Sequence, residues 1–374
     1  MDDRISQAGV WWSDITGPRS MIEILTETLS DLRSVRLELP VDCPWPAEMR
    51  SCAEACIRNG YGLEDLSLEI VGNAGNEPLD YLLERFARSD DRRNYRSSFD
   101  PQTYLRGHEV IKGKVIWVIA NTVDEATAWS DFASRWKPNS ATDGLFVIES
   151  SCEIARSAHE TAGQIRTIDY ASRVSDYSVS LFNGGLSDMR SDRGTHARKK
   201  RYQAALLTHV CERDVEVSEA LSKRLEEFVR EPLEAIGEVE ALFDSGHGSS
   251  DESHILTLWR RGRIEEIERR VWAAQVEVLF PLIETLRLSI VEDLTDKLSD
   301  LLDDEGLHNH GERPSCIEDI ELGSLVYLMA ADKLEVHSAA QKNEIHLLRS
   351  CRNNIAHRRP CPWEDVQRLL ELAE

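Results

Sequence analysis

A short run near the end of the chain combines residue types that could cleave RNA without a metal ion. Arg352 and Asn353 are adjacent, and His357 follows closely behind them. An arginine can hold a phosphate through parallel N–H donors, and a histidine can move a proton near neutral pH. Attack by a ribose 2′-OH needs a base, an acid for the leaving 5′-oxygen and positive charge at the phosphate. Arg352, His357 and Asn353 are therefore the predicted catalytic residues.

The segment 339–357 must be a helix if these side chains are to act together. At 100° per residue, an apolar stripe faces inward and a polar stripe lies beside it, with Arg352 at the edge of the apolar one. The apolar stripe contains Ile345, Leu348, Cys351 and Ile355, and the polar stripe contains His346, Arg349, Asn353 and His357. On such a helix Asn353 could orient His357, four residues later, or bind a phosphate oxygen. The alternative is structural: His357 caps the helix C-terminus, where a cation is favoured by ~0.3–1 kcal/mol, and Arg352 forms an ion pair.

The motif is basic within an acidic chain. The 374 residues carry a formal net charge of -23, which argues against a protein that coats nucleic acid nonspecifically. Between positions 341 and 363 the chain nevertheless has five cationic side chains, Lys342, Arg349, Arg352, Arg358 and Arg359, and a single carboxylate, Glu344. We expect Arg349, Arg358, Arg359 and His346 to contact RNA. A second basic cluster, at 190–201, is predicted to be a solvated loop.

The run from Leu347 to His357 resembles the R-N-x-x-x-H signature of HEPN domains, which are helical ribonuclease and RNA-binding modules of prokaryotic toxin and antiphage systems. The acidic-apolar segment 317–328, with an internal Leu-Gly, resembles the helix that precedes the motif in such domains. No tyrosine follows His357 within two residues, unlike the subgroup that pairs with a nucleotidyltransferase antitoxin. The resemblance implies an all-α C-terminal HEPN helical bundle. It also implies a homodimer through the C-terminal domain, in which two motif helices share one cleft.

The first half of the chain alternates between strand and helix patterns. Predicted strands lie at 35–39, 66–71, 115–120, 144–149 and 166–170, which indicates βαβ units and a mostly parallel sheet. The arrangement loosely resembles the ATPase half of STAND-like defence proteins. A phosphate-binding loop, G-x-x-x-x-G-K-[ST], would follow the first strand, but Pro40–Pro46 lies there, and prolines lack the N–H donors that hold phosphate. We therefore expect a P-loop-like α/β domain without a Walker A motif, no ATP turnover and no cofactor.

Strand patterns stop near residue 172, and a Gly/Ser/His-rich run follows the next helices. The predicted organisation is a degenerate NTPase-like α/β domain at 1–171, a helical connector at 172–244, a linker at 245–253 and a HEPN-like helical domain at 254–374. Within the last of these, Pro281 should kink or split a helix over 264–302.

The remaining sequence features concern location and function. No run approaches the ~20 apolar residues of a membrane span, and no apolar signal core follows the N-terminus. The eight cysteines have no zinc-ligand spacing, so reduced thiols, no metal site and a cytoplasmic protein are expected. The predicted function is a metal-independent endoribonuclease of an antiphage defence or toxin-antitoxin system, with a possible partner protein at the N-terminal domain. The alternative is a non-catalytic scaffold that dimerises and binds RNA or a partner.

Overall fold

The computed structural model describes residues 6–60, 62–158, 165–191, 194–302 and 314–372. The chain divides into two compact units, Met1–Val179 and Ser180–Glu374. The first is α/β and the second is helical, which agrees with the predicted change of fold class along the chain. Among the described helices, none is both long and apolar enough to cross a membrane.

A five-stranded parallel sheet forms the centre of the first unit, in the order β2-β3-β4-β1-β5. The strands are β1 (Ser34–Leu39), β2 (Ser67–Gly72), β3 (Lys114–Ala120), β4 (Leu145–Ser151) and β5 (Ile165–Asp169). All five predicted strands are confirmed. The continuous apolar run of β3 is typical of a strand that is buried on both faces. β1 lies between β4 and β5, which distinguishes this sheet from the dinucleotide-binding order 3-2-1-4-5-6 and the flavodoxin-like order 2-1-3-4-5.

Short helices connect the strands of this unit, and Trp129 and Trp136 pack in one hydrophobic cluster with Phe146 of β4. The helices are α1 (Gln7–Ser13), α2 (Thr16–Ser30), α3 (Pro46–Asn59), α4 (Pro78–Phe86), α5 (Ser89–Asn94), α6 (Pro101–Gly107), α7 (Val123–Arg135), α8 (Cys152–Ser157), α9 (Tyr170–Arg173) and α10 (Asp176–Arg190), the last of which continues into the second unit.

The second unit is built around a long helix that contacts the motif helix. After α10, the helices are α11 (Ala197–Cys211), α12 (Val215–Ser222), α13 (Leu225–Arg230), α14 (Pro232–Glu240), α15 (Ile255–Arg260), α16 (Ile264–Asp293), α17 (Thr295–Leu301), α18 (Leu322–Ala330), α19 (Ala339–Ala356) and α20 (Trp363–Leu372). The long helix is α16 and the motif helix is α19. The predicted motif helix thus has the expected bounds.

Two helices of this unit differ from their predicted form. Of the kink or split predicted at Pro281, the split does not occur: α16 continues through Pro281 to Asp293, and Pro281 is exposed while its neighbours Leu279 and Ile283 are buried. Water can then satisfy the carbonyl that the proline leaves without a helical donor. The segment 317–328, which resembles the helix before the motif in HEPN domains, is not one helix: a 3-10 turn covers Ile317–Asp319, and α18 begins only at Leu322. Arg287 holds this turn by donating to the carbonyls of Glu318 (2.7 Å) and Ile320 (3.1 Å).

The segment 245–253, predicted as a linker, lies inside the second unit as a series of turns. Its anchor is Asp214, the N-cap of α12, whose Oδ1 accepts the N–H groups of Glu216 and Val217 at 2.9 Å each. The other oxygen, Oδ2, lies 2.6 Å from Nε2 of His247 and 2.7 Å from Nε2 of His254. Burial alone would raise the pKa of Asp214, but the hydrogen bonds from the two histidines outweigh it and lower that pKa.

Candidate nucleic-acid interface

The motif helix α19 begins and buries its apolar stripe as its sequence dictates. Ser338 is the N-cap, and its hydroxyl accepts the N–H of Gln341 at 3.3 Å. The four apolar residues of the predicted stripe, Ile345, Leu348, Cys351 and Ile355, are all buried. The predicted polar stripe is exposed as a consequence: His346, Arg349, Asn353 and His357 all lie at the surface.

The helix ends in an unusual turn. His357 is the C-cap, and Arg358 after it has a φ of 57°, a left-handed conformation that usually selects glycine. The N–H of Arg358 bonds to the carbonyl of Ile355 (3.2 Å), and that of Arg359 bonds to the carbonyl of Asn354 (2.9 Å). A side chain in this conformation costs ~1–2 kcal/mol. The turn places His357, Arg358 and Arg359 together in exposed positions at one end of α19.

Two side chains of α16 hold this turn in place, and the sequence did not single them out. Trp272 donates its indole N–H to the carbonyl of Ile355 at 2.8 Å, which satisfies a carbonyl at the helix end. Gln275 is buried and binds both backbone groups of Cys361: its Oε1 accepts the N–H at 2.6 Å, and its Nε2 donates to the carbonyl at 3.1 Å. The sequence signal for this contact is a glutamine within an otherwise apolar stripe of α16.

The predicted catalytic side chains differ in their surroundings. Arg352 is partly exposed, and its Nη2 lies 4.0 Å from Oε2 of Glu321. An exposed ion pair at this distance is worth ~0–1 kcal/mol, so it leaves the guanidinium available to a phosphate. Asn353 and His357 are close in sequence, but within the described ranges no hydrogen bond joins the amide to the imidazole. The predicted role of Asn353 in orienting His357 is therefore not supported by a hydrogen bond between the two side chains.

The predicted RNA-contacting side chains are exposed and unpaired. Within the part of the chain that the structure describes, the side chains of His346, Arg349, Arg358 and Arg359 make no hydrogen bond or ion pair. In a protein with a net charge of -23, most cations could find a carboxylate partner. Arg358 and Arg359, which follow His357 in an exposed turn, are therefore suited to bind an external anion.

The second basic cluster provides a contrast, and its prediction as a loop is wrong. Its residues 198–201 belong to helix α11, because their backbone continues the helix that begins at Ala197. Lys199 lies 2.8 Å from Glu226, Lys200 lies 3.2 Å from Asp188, and Arg190 of α10 lies 3.7 Å from Glu219. Arg193 is outside the described residues. These ion pairs already neutralise much of this cluster, unlike the arginines that follow the motif.

A separate cavity of about 220 Å³ lies in the first unit, at the carboxyl ends of β1, β3 and β4. Parallel sheets commonly bind ligands at this edge. Here Arg50 and Glu149 line it, 3.5 Å apart, and Trp117 donates to Glu149 at 2.6 Å. Burial raises the pKa of Glu149, partly offset by Arg50 and by the Trp117 hydrogen bond.

The loop after β1 has no phosphate-binding form. Helix α3 begins at Pro46, which has no N–H to donate, and Trp45 before it is left-handed with a φ of 42°. The indole N–H of Trp12 donates to the carbonyl of Pro44 at 3.0 Å, so the loop contributes a hydrogen-bond acceptor to the contact that holds it. A phosphate cradle instead needs several backbone N–H groups directed at one point. The loop therefore lacks the geometry that ATP turnover would need, and the absence of ATP turnover stays a prediction for this unit.

Comparison with known proteins adds no assignment: the chain matches no family model and no curated protein.

Proposed function

We propose that this protein is a metal-independent endoribonuclease whose C-terminal part is a HEPN-like domain acting as a homodimer. The observation that carries the proposal is the exposed turn at the C-terminal end of α19, where Arg358 and Arg359 follow His357 and, among the described residues, their side chains make no hydrogen bond or ion pair. The resemblance of the motif to HEPN signatures supports it and implies a setting in antiphage defence or a toxin-like response.

The chemistry follows from the side chains present. Arg352 binds two oxygens of the phosphate that is to be cleaved, and its charge stabilises the pentacoordinate transition state. The imidazole of His357 accepts the proton of the ribose 2′-OH, and the 2′-oxygen then displaces the 5′-oxygen of the next nucleotide. The products are a 2′,3′-cyclic phosphate and a 5′-OH. Arg349, Arg358 and Arg359 hold the neighbouring phosphates.

A second copy of the chain completes the site. One protomer supplies one motif histidine, whereas the leaving 5′-oxygen also needs an acid. A two-fold dimer with its motif helices facing each other supplies two histidines and two copies of Arg352. Exposed apolar side chains on the second unit, Phe280 (44% exposed), Leu288 (43%) and Tyr327 (54%), offer apolar area for such contacts.

The sheet of the first unit belongs, in this proposal, to a degenerate NTPase-like domain that binds a partner protein rather than hydrolysing ATP. Its strand order is neither dinucleotide-binding nor flavodoxin-like, and its proline-rich loop replaces a phosphate cradle. The non-catalytic scaffold is the second candidate. It is favoured by one observation, the position of Arg352 beside Glu321, 4.0 Å apart, which suits a structural ion pair.

The test is incubation of the purified chain with tRNA and total RNA in EDTA, followed by analysis of the product ends. We expect cleavage to 2′,3′-cyclic phosphate and 5′-OH ends, and a loss of at least ~10²-fold in His357→Ala and Arg352→Ala. Both side chains are off the buried stripe, so the melting temperature should hardly change. Lys342→Ala, an exposed cation at the other end of α19, is the matched control and should retain activity.

Light scattering of the same samples tests the composite site. A dimer with active wild type supports it, and a monomer at the concentrations where RNA is cut would refute it. A strict need for Mg²⁺, 5′-phosphate products or full activity in His357→Ala would overturn the mechanism. A stable dimer that binds RNA but never cleaves it would leave the scaffold as the function.

A further inference from the structure

A cavity of about 370 Å³ lies in the second unit between the start of α11 and one face of α20. Aromatic, cationic, amide and carboxylate groups line it: Trp363, Lys199, Gln367 and Glu371. Its volume lies in the range of small-ligand sites, ~300–1,000 Å³. None of these residues belongs to the cleavage motif, so the cavity is a separate feature of the same unit.

Its floor is a rigid aromatic plane. Trp363 is only partly buried, and its ring stacks on that of Tyr202, with centroids 6.1 Å apart and an interplanar angle of 22°. Tyr202 is fully buried, and its hydroxyl lies 3.3 Å from Nε2 of Gln275. Lys199 lies over the indole, with Nζ 5.9 Å from the ring centroid. A preset plane of this kind is what a flat, unstacked ring binds to.

The cavity is also tied to the motif. Gln275, which contacts Tyr202, is the residue that fixes both backbone groups of Cys361. The six residue steps from His357 to Trp363 can span at most about 22 Å. The cavity and the proposed cleavage site therefore lie within reach of one short oligonucleotide, and both are held by the same side chain of α16.

The charges lining the cavity identify which part of a nucleotide it suits. Glu371 is exposed and would repel a phosphate, and Lys199 is already paired with Glu226 at 2.8 Å. A base, by contrast, presents N–H donors that a carboxylate accepts. Gln367 donates to Oε1 of Glu371 at 2.9 Å and so holds this carboxylate beside the ring. Of the four RNA bases, guanine alone has two adjacent donors, N1–H and N2–H, on its Watson–Crick edge.

Resting on the proposed function, we infer that this cavity binds one unstacked base of a single-stranded RNA substrate, with guanine preferred. Trp363 is the stacking platform, and Glu371 accepts the two N–H groups of the guanine. The substrate of the nuclease is then single-stranded or looped RNA with a guanine near the cleaved bond, because a base inside a duplex cannot enter the cavity.

Binding measurements test this inference independently of cleavage. The probe is a fluorescently labelled uridine decamer with one central guanine, bound to the full-length chain in EDTA and followed by anisotropy. To keep the probe intact, the parent protein carries His357→Ala, and every variant is made in that parent. Trp363→Leu should weaken binding by about 5- to 150-fold, the equivalent of ~1–3 kcal/mol per stacked base. Trp363→Phe keeps an aromatic plane and should lose about threefold or less. Tyr177→Leu, which removes an aromatic side chain that is 73% exposed in the first unit, is the matched control and should bind like its parent.

The base preference is tested with a second probe, and the need for an unstacked base with a duplex. We expect the guanine probe to bind about tenfold better than the same probe with a central adenine, and Glu371→Gln to abolish most of that difference. Equal binding by Trp363→Leu and its parent, with both folded by circular dichroism, would overturn the inference, as would tighter binding of a duplex of the same length. If the parent binds the probe as expected while the wild type cuts no RNA, the cavity stands and the proposed cleavage fails.

Discussion

Replacing Asp214 with alanine tests whether residues 245–253 are a folded part of the second unit. The wild-type carboxylate is almost fully buried, at 8% side-chain exposure, and each of its oxygens has two partners. Oδ2 has His247 and His254, at 2.6 and 2.7 Å, and Oδ1 has two N–H groups at the start of α12. A flexible linker would make none of these contacts.

The expected loss of stability is about 3 kcal/mol. Hydrogen bonds to a charged acceptor are each worth ~1.5–3 kcal/mol, and an N-cap carboxylate is worth ~1 kcal/mol. Their sum is an upper limit, because the four contacts share one side chain and His247 retains some solvent contact. With a urea dependence of ~1–3 kcal/mol per molar, the unfolding midpoint should fall by about 1 M or more.

The assay is urea unfolding at pH 7, followed by tryptophan fluorescence, with Asp251→Ala as the matched control. Asp251 is an exposed carboxylate in the same segment, and it accepts hydrogen bonds from the N–H (2.7 Å) and hydroxyl (2.8 Å) of Ser253. It should cost ~1 kcal/mol or less. If Asp214→Ala unfolds at the same urea concentration as Asp251→Ala, residues 245–253 are a linker and Asp214 does not hold them.

The comparison of wild type with Asp214→Ala also gives a pH dependence of stability with a definite sign. The pKa of Asp214 is lowered in the folded state, so the unfolded chain takes up the proton first as pH falls. Its contribution is complete above the ordinary aspartate pKa, ~3.9, and decreases below it. The difference in midpoint between wild type and Asp214→Ala should therefore shrink as the pH falls below about 4.

Two further predictions concern the long helix and the first unit. Pro281→Ala should raise the free energy of unfolding by ~1–2 kcal/mol. An interior proline costs up to ~3 kcal/mol in a helix, offset by the ~0.4–1 kcal/mol by which proline restricts the unfolded chain. A lower melting temperature for the variant would show that the proline is required. The purified chain should release no phosphate from Mg·ATP above background, because the loop before Pro46 offers no cradle of N–H donors; turnover that Arg50→Ala abolishes would refute this and assign catalysis to the cavity beside Glu149.

Local patterns in the sequence determined much of the fold. The apolar runs of β3 and β4 predict buried strands, because a strand covered on both faces needs no polar alternation. The motif helix was predicted with its bounds and its buried stripe, since a spacing of 3.6 residues alone decides which side chains share a face. The prolines at 40–46 predict for an equally local reason that no phosphate-binding loop follows β1, since a proline has no N–H wherever it lies.

Contacts between distant segments decided the rest. Pro281 does not end its helix, because packing around it outweighs a local penalty. Residues 245–253 read as a linker by composition, but a carboxylate more than thirty positions away holds them. The cavity beside Trp363 needs Lys199, from a helix more than 160 positions earlier. The sequence by itself therefore determined most of the strands and the faces of the motif helix, because both depend on neighbours along the chain. Only the tertiary structure decided which cations are paired and which side chains meet at a surface, because those interactions depend on distances that no spacing in the sequence encodes.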